Sequence, residues 1–265
     1  MDSKDYIQKN KQAWDKKTAH HFDSDFYDVA GFLQGNDSLN EIEISMLGDI
    51  AGKSILHLQC HFGQDTISLS RRKANVTGVD LSENAIAQAR KLATSAAVPA
   101  NFVCCNLYDL PHHLSGQFDM VFSSYGTIMW LPDLEKWAQL IARYLKPGGA
   151  FIFAEFHPVV WMFDDSFSRI AYKYNKGDPI IEMETGTYAE KRAAITTETI
   201  TWNHGLGEVL GSLIQAGLEI ISFTEYDYSP YNCFENTVEY EPGKFRIKHL
   251  GDKLPMVYSL RAVKK

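Results

Sequence analysis

The run Ser54-Ile55-Leu56-His57-Leu58-Gln59-Cys60-His61-Phe62-Gly63-Gln64-Asp65-Thr66 restricts the fold more than any other stretch of the chain. Seventeen residues beyond Gly63, Val76-Thr77-Gly78-Val79 ends in Asp80. A short apolar strand thus enters a tight turn and a helix start, and a second strand closes on a lone carboxylate. In doubly wound α/β sheets that pairing makes one half of a nucleoside-binding crevice, open at the carboxyl ends of the strands.

The pattern around it repeats. Ile55 to Leu58 reads as a buried strand, Asp65 to Arg71 as a helix, Val76 to Val79 as a strand, and Glu83 to Thr94 as a helix with Ser82 as N-cap. Asn101 to Cys104 and Phe118 to Phe122 follow as strands, the latter apolar enough to lie centrally in a parallel sheet. Asp133 can cap the next helix, in which Leu134, Trp137, Ala138, Ile141 and Leu145 share a face. Lys146-Pro147-Gly148-Gly149 stops it and releases a fifth strand, Ala150 to Ala154. Strand and helix alternating in this way imply right-handed crossovers and a parallel sheet.

Outside this block the character changes. Residues 1–50 are polar and helix-prone but carry Trp14, Phe22, Phe26 and Tyr27. Residues 157–204 are rich in Tyr, Thr and Glu without helical period and read as a β-rich excursion. A late helix (Leu206 to Ala216), a strand (Leu218 to Phe223), an irregular stretch (Tyr226 to Gly251) and a last strand (Pro255 to Val263) complete the chain.

At 265 residues and 45% hydrophobic content the chain can bury a full core. Its formal net charge of -7 argues against nucleic-acid or anionic-membrane partners. No apolar run approaches the roughly 18 residues of a membrane span. Met1-Asp2-Ser3-Lys4-Asp5 is charged and lacks the apolar core of a secretion signal. Cys60, Cys104, Cys105 and Cys233 form no paired framework, so a reduced, cytoplasmic location is expected.

Together these residues resemble a class I S-adenosylmethionine-dependent methyltransferase, from about Ile55 to Val263. The resemblance implies a doubly wound, mostly parallel seven-stranded Rossmann-like sheet, with the last strand antiparallel beside the fifth and Leu218–Phe223 at one edge. An N-terminal helical cap over residues 1–50 and a methyltransferase domain over 51–265 follow, with substrate-covering insertions at about 157–204 and 227–254. The family's turn reads as an acidic residue, then Gly-Cys-Gly-x-Gly. Here His57, Gln59 and His61 replace the acid and two glycines, and Gly63 alone remains. This chain is similar to a subset of the family with the run Gln-Cys-His-Phe-Gly-Gln-Asp.

The resemblance implies S-adenosylmethionine as cofactor and S-adenosylhomocysteine as product. Leu58, Gln59, Cys60, Gly63, Gln64 and Asp65 would surround its methionine part, whose carboxylate could meet the free N–H groups of the helix start. Asp80 would accept from the ribose hydroxyls, with Leu81 and Ser82 beside it. In Cys105-Asn106-Leu107-Tyr108-Asp109-Leu110-Pro111, Asn106 stands where the family has an acid that accepts from the adenine amino group, and Leu107 would pack on the ring. Ser124 and Tyr125, ending the fourth strand, would contact the methionine part.

A sulfonium methyl is already activated, so the protein's task is to align an acceptor and exclude water. His157 and His204 are the candidates for a general base, should the acceptor lose a proton. Tyr27, Trp161, Trp202 and Tyr228 are candidate contacts for a small-molecule acceptor. Adjacent histidines at His20-His21 and His112-His113 do not form metal-ligand spacings, and no metal is expected. Rival readings are an inactive S-adenosylmethionine-binding sensor or partner-binding module, a protein methyltransferase, and an RNA methyltransferase, which the acidic balance disfavours. A nicotinamide dehydrogenase is more distant, because no G-x-G-x-x-G follows the first strand. The oligomeric state is left open.

Overall fold

The computed structural model describes residues 3–265, so the reading of Met1 and Asp2 lies outside the described residues. In chain order the elements are helices α1 (Ser3–Phe22), α2 (Val29–Leu33) and α3 (Glu41–Leu47), then β1 (Ser54–Leu58), α4 (Gln64–Arg71), β2 (Asn75–Asp80), α5 (Glu83–Ser95), β3 (Asn101–Cys104) and β4 (Phe118–Ser124). These are followed by α6 (Leu134–Tyr144), β5 (Leu145–Phe156), β6 (Ile180–Thr185), β7 (Thr196–Thr201), α7 (Leu206–Gln215), β8 (Leu218–Tyr226), β9 (Thr237–Glu241), β10 (Lys244–Ile247) and β11 (Val257–Lys264).

Seven strands form one sheet in the order β3-β2-β1-β4-β5-β11-β8. The first five run parallel, and β11 lies antiparallel between β5 and β8. The late strand therefore occupies the edge and the last strand the interior, as the resemblance implies. Two further hairpins, β6–β7 and β9–β10, stand outside the sheet. The stretch expected to be irregular, Tyr226 to Gly251, thus contains a hairpin. Pro242 and Gly243 (φ 71°) sit between β9 and β10, where a fixed φ followed by a left-handed residue makes a turn that joins strands instead of ending them.

Both sheet faces are covered. On one, the indole of Trp137 from α6 packs against Phe151 and Phe153, all three fully buried, with Val209 and Leu213 of α7 alongside. On the other, Ile67 of α4 and Ile86, Ala89 and Leu92 of α5 enclose Phe102 of β3. Asp133 caps α6 by accepting from Lys136 N at 3.0 Å. Ser82 caps α5 through Ala85 N, also at 3.0 Å. These caps fix where each helix leaves its strand, and hence where the strand tips open.

The helix α1 crosses above those tips and is fastened at two places. At α5, Asp15 Oδ1 accepts from Ser82 Oγ at 2.6 Å and Asn84 N at 3.2 Å. At β7, the Asn10 amide pairs with the Ile200 backbone in both directions, at 2.8 and 2.9 Å. Ion pairs Lys9–Glu198 and Lys17–Glu184 and a hydrogen bond between His20 and Glu190 join it to the β6–β7 region. Among the described residues, no helix is long and apolar enough to cross a membrane.

Candidate active site

The turn after β1 keeps a glycine-like backbone without the glycines. Gln59, His61 and Gly63 all adopt left-handed φ values, 53°, 51° and 81°. For a residue bearing Cβ this conformation costs about 1–2 kcal/mol. Two side-chain and backbone bonds hold it: Gln59 Nε2 donates to Thr127 O at 2.8 Å, and His61 N donates to Asp80 Oδ2 at 2.8 Å. Gly63 is required for space as well as φ, because a Cβ there would lie 2.7 Å from the Phe102 ring and 3.0 Å from Ala89 Cβ. Its role is the close packing of α4 on β3 and α5.

Asp80 stands at the tip of β2 as a receiver of backbone donors. Its Oδ1 takes Ser82 N at 2.8 Å while Oδ2 takes His61 N. Burial raises the carboxyl to about 6, and those N–H groups oppose the rise. The imidazole of His57, where the family carries an acid, is buried and bonded to Thr66 Oγ1 at 2.8 Å; burial lowers its pKa to about 3, which keeps it neutral.

A second buried carboxylate, Asp65 in the first turn of α4, accepts from Ser124 Oγ at 3.1 Å and is raised by burial to about 6. Beside it, Tyr125 (φ 33°) donates to Glu43 Oε2 at 3.0 Å. Burial pushes Glu43, on α3, up to about 8. Glu155 at the end of β5 organises the loop after β4: its carboxylate takes Gly126 N, Thr127 N (2.8 Å), Thr127 Oγ1 (2.9 Å), Ile128 N (3.2 Å) and Phe156 N (2.7 Å). Because Thr127 O is the acceptor for Gln59, this one carboxylate sets the loop that braces the turn.

Asp65, Asp80, Tyr125 and the Gln59–Gly63 turn line a cavity of about 1050 Å³ between the strand tips and the roof of α1 and β6–β7, with Glu43 and Glu155 behind its wall. Of the residues expected around a cofactor, Gln59, Cys60, Gly63, Gln64, Asp65, Asp80, Leu81, Asn106, Leu107, Ser124 and Tyr125 all reach its wall. Gln64 spends its amide on Tyr27 O at 2.8 Å, and the Asn106 oxygen accepts from Tyr108 N at 3.2 Å. Tyr27 and Trp161, expected to meet an acceptor, also line it; the Tyr27 and Tyr188 hydroxyls are bonded to one another. Five of the eight non-glycine residues with positive φ among the described residues (Asp28, Gln59, His61, Tyr125 and Phe167) lie in this wall. Strain gathered at one cavity marks a place that the surrounding structure over-determines.

Six expected residues lie elsewhere. Leu58 is in the core, because its side of β1 faces α6. Ser82 is fully buried as the cap of α5 and the anchor of α1. His157 is buried against β8, its Nδ1 accepting from Val159 N and its Nε2 2.9 Å from Glu225 Oε1 in poor hydrogen-bond alignment. His204 is wedged between Glu208 (3.0 Å) and Leu131 O (2.8 Å). Trp202 packs edge-on against Tyr6, and Tyr228 lies with Tyr226 and Lys244 outside the cavity. Both histidines sit at element ends, where they satisfy local polar groups instead of facing the cleft.

Sequence reasoning missed Trp130, Lys17, Glu182, Glu184, Glu43 and the organising part of Glu155. A signal for two of them was present. In β6 the acids Glu182 and Glu184 alternate with Ile181 and Met183, and the apolar pair is the exposed one. A strand that turns its acids inward faces a polar space, not a core.

Residues 55–149 match the family model described as "Methyltransferase domain". In that segment the chain is similar to methyltransferase domains. A ubiquinone biosynthesis O-methyltransferase of Chromobacterium violaceum is 30% identical over 125 residues, 47% of this chain and 49% of that one. A demethylmenaquinone methyltransferase of Lactococcus lactis is 36% identical over 126 residues, covering 46% and 49%. The chain thus spans about half the length of these curated relatives. A solved S-adenosylmethionine-dependent methyltransferase from Mesorhizobium loti superposes with a TM-score of 0.57 at 21% identity, over 88% of this chain and all of that one. The chain therefore carries the α/β fold of that structure, and the roof and hairpins are built around it.

Proposed function

We propose that the protein transfers the methyl group of S-adenosylmethionine to a small-molecule acceptor and releases S-adenosylhomocysteine. The observation that carries this reading is the turn: three left-handed residues at the glycine positions, braced by Asp80 at the tip of the neighbouring strand and opening on a roofed cavity. The same backbone supports placing the chain in the subset with a Gln-Cys-His-Phe-Gly-Gln-Asp turn.

The residues fit the cofactor. An ionised carboxylate has about four acceptor positions; Asp80 uses two on backbone donors, which leaves room for both ribose hydroxyls. Leu81 and Leu107 offer apolar faces to a purine, and Asn106 retains its amide N–H groups beside them. Gln59 Oε1 is a buried acceptor without a partner. The first turn of α4 has no side-chain cap, so its N–H groups are open to a carboxylate. When bound, S-adenosylmethionine supplies an activated methyl group. Asp80, the Gln59–Gly63 turn and the loop held by Glu155 fix its orientation, while Trp14, Tyr27 and Tyr188 shield the cavity from water.

In this reading residues 1–50 are a cap and residues 157–204 cover the acceptor; from the third segment, 227–254, only Tyr231, Cys233, Phe234 and Glu235 reach the cavity. The four free thiols suit a reducing, cytoplasmic setting. Calorimetric titration with S-adenosylhomocysteine tests the proposal. A saturable heat with a matching rise in melting temperature is expected; neither, at millimolar ligand, overturns it.

A further inference from the structure

We infer that the acceptor carries an amine, protonated as it enters, and that Glu182 is the residue that selects it. The inference rests on the methyltransferase reading above and names the substrate class of that same cavity. Nine carboxylates and two lysines line the wall; Asp37, Asp164 and Glu184 pair with Arg72, Arg169 and Lys17, and the other six carboxylates have no cationic partner among the described residues. Among the described residues Lys191 is the one lining cation outside these pairs, so the wall keeps a negative field where ligands enter. Such a wall repels phosphorylated and carboxylated acceptors.

The roof narrows this to one residue. Along β6 the side chains of Glu182 and Glu184 point to the same side, and both line the cavity. Glu184 has a cation from the chain itself, the buried ammonium of Lys17, at 2.5 Å, and a second donor, Thr199 Oγ1, at 2.9 Å. That ammonium also lies 5.6 Å from the Trp14 ring and 5.7 Å from the Trp130 ring. The wall therefore already holds one amine cation by a carboxylate and two indoles, a pairing that stabilises desolvated ammonium groups. Glu182, two residues away, has only the phenol of Tyr172 as donor and no cationic partner among the described residues. It faces the same cavity, where Trp161 supplies a further indole. A ligand ammonium beside Glu182 would repeat the arrangement of Lys17 beside Glu184. Once bound there and deprotonated, the amine nitrogen presents its lone pair to the methyl group: the N–C bond forms as the S–C bond breaks, and the proton released from the nitrogen passes to a carboxylate or to water.

The test uses the full chain saturated with S-adenosylhomocysteine and two matched series: 2-phenylethylamine, 2-phenylethanol and phenylacetate, then tryptamine, tryptophol and indole-3-acetate. In each series the amine is expected to bind at least tenfold more tightly than the alcohol, with the acid weakest. Glu182→Gln should cost the amine about tenfold and leave the alcohol and S-adenosylhomocysteine unchanged. Tyr172→Phe, which leaves the carboxylate in place, should not weaken the amine. Equal binding within a series, preference for the acid, an unchanged amine in Glu182→Gln, or no amine binding at millimolar concentration overturns the inference. Failure of S-adenosylhomocysteine to bind would instead remove the methyltransferase reading beneath it.

Discussion

The floor of the cavity is held by backbone N–H groups converging on Asp80 and Glu155, whereas its roof is held by α1 side chains that reach residues as far as 190 away in sequence. The floor bonds are buried or part-buried and span at most 29 residues, and each lost partner would strand a donor. Of the roof's side-chain contacts, Lys9–Glu198 and His20–Glu190 are one-third to one-half exposed, a class of contact worth about 1 kcal/mol or less, while the Lys17 ammonium and the Asn10–Ile200 bonds are buried. The difference teaches which part is preorganised and which part can yield. In the proposed reading a cofactor meets a floor already in place, and an acceptor enters where the exposed contacts between α1 and β6–β7 part.

The largest effect should come from the floor's hub. Glu155→Ala leaves four backbone N–H groups and one hydroxyl without their acceptor and should destabilise the fold by about 3–5 kcal/mol, measured by urea unfolding. A loss below about 1 kcal/mol would mean that the loop after β4 is held by something else. Next comes Asp80→Ala, which strands His61 N and Ser82 N; it should cost about 2–4 kcal/mol and weaken S-adenosylhomocysteine tenfold or more. If affinity survives while stability falls, Asp80 serves the turn alone.

The roof gives a smaller and local response. Lys17→Met removes the buried cation from Glu184 and should lower the hydrogen-exchange protection of α1 and β6–β7 amides, with the amides of residues 59–63 unchanged. Equal loss in both places would join floor and roof into one cooperative unit and break the contrast.

Glu43 supports the floor through Tyr125 and responds to pH. Its carboxyl, about 8 when folded against an ordinary 4.5, keeps its proton in the folded chain after the unfolded chain has released it. Its contribution is therefore complete below about pH 4.5 and is lost as pH rises through 8. Asp65 and Asp80, each raised to about 6, act in the same direction between about pH 4 and 6. Glu43→Gln should match the parent protein in melting temperature near pH 4.5 and exceed it at pH 9. A variant curve parallel to the parent's at all pH values would show that Glu43 titrates as it does in the unfolded chain.

The same contrast explains what the sequence disclosed. The sheet was legible because its signals are local: apolar runs of strand length and Ser82 and Asp133 as caps each act within a few residues, whereas Lys146-Pro147-Gly148-Gly149, expected as a stop before the strand, lies within β5 at a register shift against β4. Asp80 was legible for the same reason, since its partners are the adjacent turn and its own chain two residues on. The roof was not. Nothing near Asn10 announces Ile200, and nothing near Lys17 announces Glu184, because those pairs exist only once the chain has crossed the sheet. His157 and His204 misled because a histidine near a strand end or helix start looks alike whether it faces the cleft or, as here, Glu225 and Leu131.

The smallest expected effect falls on the turn itself. Gln59→Gly relieves a left-handed non-glycine residue, worth about 1–2 kcal/mol, but deletes the bond from Nε2 to Thr127 O, worth about 1 kcal/mol, and loosens the unfolded chain. These contributions oppose one another, so stability should change by less than about 1 kcal/mol in urea unfolding. The buried and unpartnered Oε1 gives the substitution a second readout. If that oxygen meets the cofactor, S-adenosylhomocysteine should bind more weakly in the variant even though the fold is unharmed. Unchanged affinity would mean that the backbone of the turn, and not the residue that replaced its first glycine, makes the floor.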